Sequence, residues 1–433
     1  MQRIFTEVIM RILTLVNMIT AILFAVCYMY QLCYIPIVLA RHRCRKVVKV
    51  KRYNYAVLIC ARNEAEVIGD LIESLKHQTY PHELVHIFVL ADNCTDKTAL
   101  IAKAAGAIVY ERSNRMEVGK GYALNVLLRH IKEDYPAGYD GYFVFDADNI
   151  LSPDYIEQMN CTFSEGYDMV TGYRNSKNYG SNWISAGYAL WFLRESRYLN
   201  HARYLCGSSC MVSGTGFLFS RAVADEMGGW PFHTLTEDIE FSAKQITEGR
   251  KIAFCSDAEL YDEQPVTFIQ SWHQRMRWAK GFIQVFHIYG TKLLRNTIRG
   301  SFSCYDMMMT IMPAFILSVI SIVSNIAFGI WYALLRNDFL ITLISVGRMI
   351  SAMYMMLFII GAVTTVTEWH HIHTVSWKKI LYMFTFPLFM FTYIPISVAA
   401  LFVKTTWVPI RHTFSIRNMS ACETRLFVRG VRQ

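Results

Sequence analysis

The chain has 433 residues, of which 53% are hydrophobic, 14% aromatic and 18% charged, and its formal net charge is +9 at pH 7. This composition is too apolar for an ordinary soluble protein and carries too much charge for a protein that lies wholly in a membrane, so we expect membrane segments joined to a soluble domain. The excess positive charge is concentrated after the first apolar stretch and in the C-terminal tail, and we therefore predict no nucleic-acid partner.

Several stretches are apolar and long enough to cross a bilayer, which requires about 20 residues in a helix. They are residues 12–40, 307–335, 339–367 and 380–403. The first is too long for the apolar part of a signal peptide and is predicted to be an uncleaved anchor. A run of basic residues from Arg41 to Arg52 follows it, and such runs flank the cytoplasmic side of membrane spans. The sequence thus predicts a multi-pass protein of the cell membrane with a cytosolic central domain.

We predict four parts of the chain: an anchor at residues 1–40, a cytosolic domain at 41–300 that ends in interfacial helices, a membrane region at 301–403 and a basic tail at 404–433. The basic tail favours a cytosolic C-terminus, whereas three C-terminal spans would place that end outside. Breaks at Pro387 and Pro395, or a surface position for residues 301–312, would each resolve this conflict. The sequence leaves both open.

Within the central domain, apolar runs of strand length alternate with segments of helical periodicity. Strands are predicted at Tyr55–Cys60, Val85–Ala91, Ala107–Glu111, Gly141–Phe145, Met169–Tyr173 and Gly216–Ser220. Helices are predicted after the first strand and at residues 97–105, 122–130, 183–200 and 239–248. This alternation indicates an α/β sheet covered on both faces, whose ligands lie beyond the carboxyl ends of the strands.

The fourth predicted strand ends in Asp146-Ala147-Asp148. Two carboxylates one residue apart can hold Mg²⁺ or Mn²⁺ against a diphosphate. The same pattern also occurs in solvated turns, but its position at a strand end favours a metal site.

Thr236-Glu237-Asp238 precedes the last predicted helix of the domain. Thr236 could cap this helix, with Asp238 near the positive end of the helix dipole. Alternatively, Asp238 could act as a general base that takes the proton of an acceptor hydroxyl.

Gln274-Arg275-Met276-Arg277-Trp278 lies in a segment with regularly spaced aromatic residues. That spacing is typical of a basic amphipathic helix on a membrane surface. The same residues also suit a sugar–diphosphate site, since an arginine binds pyrophosphate and a tryptophan covers the face of a sugar ring.

In order and spacing, these motifs and Asp92 resemble the processive family-2 glycosyltransferases, the group that contains cellulose, chitin and hyaluronan synthases. The resemblance covers residues 57–286 approximately. It implies a GT-A fold, which is a Rossmann-like mixed α/β sheet, joined here to transmembrane helices. It also implies a divalent cation and a UDP-sugar donor.

The resemblance further implies roles for individual residues on the donor side. Arg62, Asn63 and Glu64 would form the loop that meets the uridine. Asp92 would read the uracil edge, and Lys120 would lie beside the diphosphate.

On the acceptor side, the resemblance makes Asp238 the catalytic base, with Glu237 also in the substrate site. Asp148 would bind the metal, and Asp146 would bind metal or ribose. The leaving diphosphate and the terminal sugar of the acceptor would be held by Gln274, Arg277 and Trp278.

The activity implied is inverting transfer of a sugar, with UDP-glucose slightly preferred, to the end of a growing β-linked polysaccharide that the spans help to export. The partners would be the donor, the glycan acceptor and the lipid bilayer. A single transfer to a lipid-linked or surface glycan, or synthesis of an N-acetylglucosamine polymer, is the alternative. The chain departs from cellulose synthases, because their Phe-Cys-Gly-Ser motif is replaced by Ser213-Gly214-Thr215-Gly216. Cellulose is therefore not carried over as the product.

The tail after the last apolar stretch, which contains Thr405, Thr406 and Trp407, resembles in placement the segment that closes over the nucleotide in these synthases. We expect Trp407 to contact the donor. A linking segment without a function in catalysis is the alternative.

Overall fold

The computed structural model describes residues 2–41, 49–312, 315–336, 339–403, 405, 410 and 412–414. Its strands are β1 (Tyr55–Ala61), β2 (Val85–Asp92), β3 (Ile108–Arg112), β4 (Gly141–Asp146), β5 (Ile150–Leu151), β6 (Met169–Ser176), β7 (Phe217–Ser220) and β8 (Ala253–Asp262). Its first helices are α1 (Gln2–Ala40), α2 (Ile68–Lys76), α3 (Thr98–Ala104), α4 (Lys120–Asp134), α5 (Tyr155–Ser164), α6 (Trp183–Arg194), α7 (His201–Leu205), α8 (Arg221–Met227) and α9 (Glu237–Thr247). They are followed by α10 (Phe268–Ile298), α11 (Phe302–Ile311), α12 (Phe315–Arg336), α13 (Phe339–Thr367), α14 (Ser376–Phe391) and α15 (Tyr393–Phe402).

The strands form one mixed sheet in the order β3-β2-β1-β4-β7-β6-β8-β5. β1 to β4 are parallel, and β7 is antiparallel to both of its neighbours. In this register Cys60 of β1 is level with Leu90 of β2 and Asp146 of β4. The polar residues that follow the three strands therefore meet at one edge of the sheet. The predicted α/β class is confirmed, and so are the six predicted strands.

Helices cover both faces of the sheet because its central strands are apolar on both sides. β1 is buried along almost its whole length, as a strand between two helical layers must be. α2 shows how a helix covers one face: Ile68, Leu71, Ile72 and Leu75 recur at helical spacing and are all buried. The result is a hydrophobic core on each face of the sheet.

The helix predicted at residues 183–200 is present, but it is not regular. The side chain of Asn182 accepts from the backbone N–H groups of Ile184 and Ser185 and so begins α6. α6 ends at Arg194 and passes directly into a π-helical turn, Glu195–Asn200, before α7 begins. Apolar periodicity does not distinguish a π-turn from the α-helix around it, and the sequence therefore gave no sign of it.

Within the described part of the chain, three helical segments are long and apolar enough to cross a membrane: Thr14–Ala40, Val346–Thr367 and Ser376–Phe402. The predicted stretch 307–335 differs, because α11 ends at Ile311 and α12 begins at Phe315. The buried Cys304 and Met307 of α11 pack in one cluster with residues of α9 and α10. This agrees with the alternative that residues 301–312 lie outside the spans.

Candidate active site

One large cavity, of about 1020 Å³, lies at the carboxyl edge of β1, β2 and β4 and extends between the apolar helices. Most of the site residues predicted from the sequence line it: Arg62, Glu64, Asp92, Lys120, Asp146, Asp148, Glu237, Asp238, Gln274, Arg277 and Trp278. Asn63 does not line the cavity, and Trp407 lies outside the described residues. The fold thus brings together residues that are far apart in sequence.

The loops after β1 and β2 support each other at the predicted uridine end. Asn63 and Asn93 both have a left-handed backbone, with φ of 59° and 55°, which is uncommon outside glycine and needs support from the surroundings. The Asn63 side chain supplies some of that support by accepting from the backbone N–H of Thr95 at 2.8 Å. Asn63 therefore shapes the loop instead of facing the cavity.

Asp92 is buried at the end of β2 and is held by a residue that the motifs did not indicate. Arg112, at the end of β3, donates from Nη1 to Asp92 Oδ1 at 3.1 Å. Burial raises the pKa of the Asp92 carboxyl, and the Arg112 guanidinium opposes that shift. The pair fixes the carboxylate on the cavity wall.

Lys120, the first residue of α4, joins the ends of two loops. Its Nζ donates to Asp146 Oδ1 at 2.5 Å and to the backbone oxygen of Gly214 at 2.7 Å. The helix begins close to the loop before α9, because a Cβ on Gly121 would lie only 1.9 Å from the backbone oxygen of Phe232. Lys120 is thereby held as a fixed positive charge in the site.

Asp148 follows β4, two residues after Asp146, and is buried against the residue that follows β8. Its Oδ2 accepts from the backbone N–H of Glu263 at 2.7 Å, and its backbone oxygen accepts from Lys177 Nζ at 2.9 Å. Burial alone would raise the pKa of the Asp148 carboxyl, but the positive charges of His412 and Lys177 hold it below its ordinary value. The surroundings of Asp148 therefore favour its ionised form, which is the form that could bind a metal.

Asp146 and Asp148 fit a hard divalent cation by the chemistry of their donor atoms. Both offer carboxylate oxygens at one strand end, and Asp148 is held ionised. Among the described residues no group of three or more His, Cys, Asp or Glu side chains forms a metal cage. Mg²⁺ is commonly bound by one or two carboxylates, with phosphate and water completing its shell.

Glu237 and Asp238 begin α9; Glu237 is buried and Asp238 is half-buried. Asp238 Oδ2 accepts from the backbone N–H of Gly214 at 2.6 Å. Burial raises the pKa of the Asp238 carboxyl, and the Lys120 ammonium partly opposes it. Burial and the adjacent Asp238 raise the pKa of Glu237. A carboxylate with a raised pKa in a cleft is suited to accept a proton.

The Ser213-Gly214 loop lies close to the carboxylates of both Asp146 and Asp238. A Cβ on Gly214 would lie 4.0 Å from Asp146 Oδ2, 4.0 Å from Asp238 Oδ2 and 3.7 Å from Arg174 Nη1. Gly214 has φ +77°, a conformation that glycine adopts readily. The predicted departure from the cellulose-synthase motif is thus at the centre of the site.

The residues of the Gln274–Trp278 motif divide between site and scaffold. Arg277 and Trp278 line the cavity, and Trp278 packs edge-on to Tyr188 and Phe192. Arg275 is fully buried and donates to the backbone oxygen of Phe389 and to Thr392 Oγ1, which fixes α10 against α14 and α15. One arginine of the motif is therefore structural.

Two polar atoms of these motifs are buried without a hydrogen-bond partner in the described part of the chain. They are Thr236 Oγ1 and Gln274 Oε1, and both residues line the cavity. An unpaired buried polar atom costs about 1–3 kcal/mol. A bound substrate would recover that cost.

Sequence reasoning missed several residues of the site. Arg174 of β6 donates from Nε to Asp262 Oδ2 of β8 at 2.7 Å and from Nη1 to the backbone oxygen of Ser213 at 2.8 Å. Burial raises the pKa of Asp262, and Arg174 opposes the shift. Neither residue belongs to a local motif, so only their position at adjacent strand ends could have indicated them.

The C-terminal strap, which we define as His412–Phe414, also reaches the site. The backbone N–H groups of Thr413 and Phe414 donate to the Glu263 carboxylate at 3.0 and 2.9 Å, and His412 pairs with Glu64. Burial alone would lower the pKa of the His412 imidazole, but Asp148, Glu64 and Glu263 raise it to about 10. The tail was predicted to reach the nucleotide site through Trp407, and the described contact is made by His412.

Comparison with known proteins places this geometry in a family. Residues 52–281, more than half of the chain, match the model described as glycosyltransferase like family 2. The chain belongs to this family. The family-2 glycosyltransferase class predicted from the motifs is therefore confirmed.

Curated relatives of this family-2 glycosyltransferase have more than one product. The β-monoglucosyldiacylglycerol synthase of Nostoc sp. is 28% identical over 279 residues, which are 62% of this chain and 57% of the relative. The poly-β-1,6-N-acetyl-D-glucosamine synthase of Staphylococcus epidermidis is 27% identical over 233 residues, 52% of this chain and 53% of the relative. The chain spans little more than half the length of these relatives.

Among solved structures, the mannosyltransferase PcManGT from Pyrobaculum calidifontis, in complex with GDP-Man and Mn²⁺, has a TM-score of 0.57 at 15% identity. The match covers 89% of this chain and 99% of that chain. At this identity the likeness concerns the fold, and it confirms the predicted GT-A sheet joined to apolar helices.

Proposed function

We propose that this family-2 glycosyltransferase is a hexosyltransferase that moves a sugar, with inversion, from a UDP-sugar to a hydroxyl group of a membrane lipid. The observation that carries the proposal is the continuity of the cavity. Its floor holds Lys120, Asp146 and Asp238, and its walls continue along the apolar helices α1, α11 and α13. A donor from solution and an acceptor from the bilayer would meet in one space.

The transfer would follow from the positions of the carboxylates. Asp238 would accept the proton of the acceptor hydroxyl while the acceptor oxygen attacks the anomeric carbon. The bond between that carbon and the diphosphate oxygen would break on the opposite side, so an α-linked donor gives a β-linked product. Lys120 and Arg277 would balance the charge on the departing UDP.

A divalent cation, held by Asp148 and Asp146, would supply Lewis-acid neutralisation of the diphosphate. The chain's own residues prepare this corner. Glu263 orients Asp148 through its backbone N–H, and Lys120 holds Asp146 in place. Asp92 and the loop at Arg62 would bind the nucleoside.

The walls beyond Trp278 support a lipid acceptor. α13 contributes Met349, Met353, Met356 and Leu357, and α1 contributes Leu32. Methionine side chains are flexible and adapt to irregular apolar surfaces, as disordered acyl chains require. The named lipid product of the Nostoc relative supports the same assignment.

Extension of a β-linked polysaccharide, with export through the spans, is the second candidate. It is favoured by Gln274, Arg277 and Trp278, which resemble the acceptor motif of processive enzymes, and by the polymer-forming relative.

We also propose that the chain is organised as predicted from its sequence, with an anchor, a cytosolic domain, a membrane region and a tail.

The test separates these products. Membranes with the full chain are incubated with Mg²⁺ or Mn²⁺ and one radiolabelled UDP-sugar at a time, and label is measured in a chloroform extract and in ethanol-insoluble material. Label that enters the extract, at a level set by added lipid, supports the proposal. Label in long insoluble chains would establish the second candidate instead, and no transfer from any UDP-sugar would refute both.

A further inference from the structure

Glu195 is a buried carboxylate in the active-site cavity to which neither the motifs nor the proposed mechanism gives a role. It is 7% exposed and lines the same cavity as Asp238 and Trp278. It is also the first residue of the π-helical turn Glu195–Asn200. π-turns inside α-helices are rare and frequently occur at functional sites, because the extra residue changes the direction of the side chains.

A chain of contacts connects Glu195 with the catalytic carboxylate. Arg174 lies over the ring of Phe192, 3.6 Å from the ring centre, and donates to the backbone oxygen of Ser213. The next residue, Gly214, donates its N–H to Asp238. Burial raises the pKa of the Glu195 carboxyl, while Arg174 and a hydrogen bond with Ser213 oppose the shift. Glu195 and Asp238 thus both line the cavity, and each contacts the Ser213-Gly214 loop.

One oxygen of Glu195 has no assigned partner. Oε1 is buried and has no hydrogen bond within the described residues. Arg174 and Arg194 lie close enough to balance the charge of Glu195, but neither donates a hydrogen bond to Oε1. Arg174 donates to Asp262, Arg203 pairs with Asp306, and Arg194 donates to Gln31 Oε1 at 3.0 Å.

The chemistry of the unpaired oxygen limits what it can bind. An ionised carboxylate only accepts hydrogen bonds, so its ligand must donate one. It would repel a phosphate, which argues against an anionic head group at this position. The cavity wall includes the apolar Phe192, Leu199 and Met211 beside the charged Arg174 and Arg194. A neutral hydroxyl is the donor that fits both the charge and the surroundings.

We propose that Glu195 binds a second hydroxyl of the acceptor, next to the hydroxyl that Asp238 deprotonates, so that the acceptor carries a sugar or another polyol as its head group. This inference rests on the proposed function and narrows its substrate class. A lipid with a single free hydroxyl, such as diacylglycerol, would leave Glu195 unpaired. A lipid that already carries one sugar would satisfy both carboxylates.

The test uses the full-length protein in detergent with a UDP-sugar donor and defined acceptors. These are dodecyl β-glucoside, its monodeoxy derivatives, and dioctanoylglycerol as the lipid with one hydroxyl. For the wild type we expect kcat/KM on the glucoside to exceed that on dioctanoylglycerol by about 100-fold, and one monodeoxy derivative to lose about tenfold. In Glu195→Gln, kcat/KM on the parent glucoside should fall about tenfold through a higher KM. On the sensitive monodeoxy derivative, the substitution should cause no further fall in kcat/KM.

Glu368→Gln is the matched control. Glu368 is also buried, accepts from Tyr173 at 2.6 Å and pairs with Arg197, but it does not line the cavity. Its replacement should change KM equally for all acceptors or not at all. UDP affinity, measured separately, should be the same in both variants and the wild type.

Several results would overturn the inference. Equal use of dioctanoylglycerol and the glucoside, or an equal loss of rate by Glu195→Gln on every acceptor, would overturn it while leaving sugar transfer established. If Glu195→Gln does not fold, the wild type alone tests the inference. Equal kcat/KM on the parent glucoside and on every monodeoxy derivative would then overturn it, because no second hydroxyl would be recognised. Failure to transfer from any UDP-sugar would overturn the proposed function and this inference with it.

Discussion

His412 Nδ1 lies 3.0 Å from both carboxylate oxygens of Glu64, a residue 348 positions earlier in the chain. With the bonds from Thr413 and Phe414 to Glu263, this ion pair holds the C-terminal strap against the donor end of the cavity. The strap therefore lies over the corner where Asp148 and the diphosphate would meet.

We predict that His412→Gln loosens the strap, because it removes the charge that pairs with Glu64. Hydrogen exchange of the Thr413 and Phe414 amides, followed by mass spectrometry, should become at least several-fold faster, and KM for the UDP-sugar should rise. His77→Gln is the control, since His77 is exposed and pairs with Glu73 at the end of α2. Unchanged exchange in His412→Gln would contradict a docked strap.

Replacement of the proposed base should separate binding from chemistry. Asp238→Asn keeps the shape of the side chain but cannot accept the hydroxyl proton, so we expect kcat to fall about 10²–10⁴-fold. UDP affinity, measured by calorimetry, should change little. Glu240→Gln, a buried site on the same helix that does not line the cavity, should retain activity. Wild-type turnover in Asp238→Asn would refute the assignment.

Lys120 should contribute to donor affinity more than to acceptor affinity. A Lys120→Met variant loses a partly buried positive charge at the proposed diphosphate site, and we expect UDP to bind about 10–100-fold more weakly. Equilibrium binding of UDP measures this directly. Lys132→Met lies on the exposed end of the same helix and should bind UDP as the wild type does. Equal loss in the two variants would show a general effect of charge.

The pH dependence of kcat/KM should reflect the pKa of the Asp238 carboxyl. A base must be unprotonated, and burial raises the pKa of this carboxyl, so kcat/KM should fall on the acid side at a pH above the ordinary value for aspartate, about 3.9. Arg277 lowers that pKa, and Arg277→Gln should therefore move the acid limb to higher pH. Arg295→Gln, an exposed site on the same helix, should leave the limb in place. A shift to lower pH in Arg277→Gln would contradict the assignment.

The parts of the site that the sequence predicted are those set by local pattern. Asp92 and Asp146 follow short apolar runs, and strands that alternate with helices run parallel, so their carboxyl ends meet at one edge. The structure has this arrangement in β2 and β4. Spacing alone was enough for these residues.

The rest of the site depends on tertiary contacts that leave no local pattern. Arg174 and Asp262 meet because β6 and β8 are neighbours, although they are 88 residues apart. Glu195 begins the π-turn that follows the largely apolar α6, and its proposed role depends on that turn and on the cavity. His412 reaches the site from a segment with no periodicity. A single sequence gives no sign of such pairings.

A buried ion pair between α7 and α11 also accepts hydrogen bonds from the N-terminal helix α1. Arg203 of α7 donates to Asp306 of α11 from Nε at 2.7 Å and from Nη2 at 2.9 Å. The hydroxyl groups of Tyr30 and Tyr34 on α1 donate to the same carboxylate at 2.7 and 3.0 Å. Asp306 thus connects three helices around the membrane end of the cavity.

Because the pair is buried, loss of one partner should be worse than loss of both. Arg203→Met leaves the Asp306 carboxylate without its counter-charge, and we expect it to lower the free energy of unfolding by about 3–5 kcal/mol. Arg203→Met combined with Asp306→Leu removes the stranded charge and should recover most of that stability. Thermal unfolding in detergent measures both variants against the wild type. A double variant less stable than Arg203→Met would show that the tyrosine hydroxyls, and not the ion pair, determine how α1 is held.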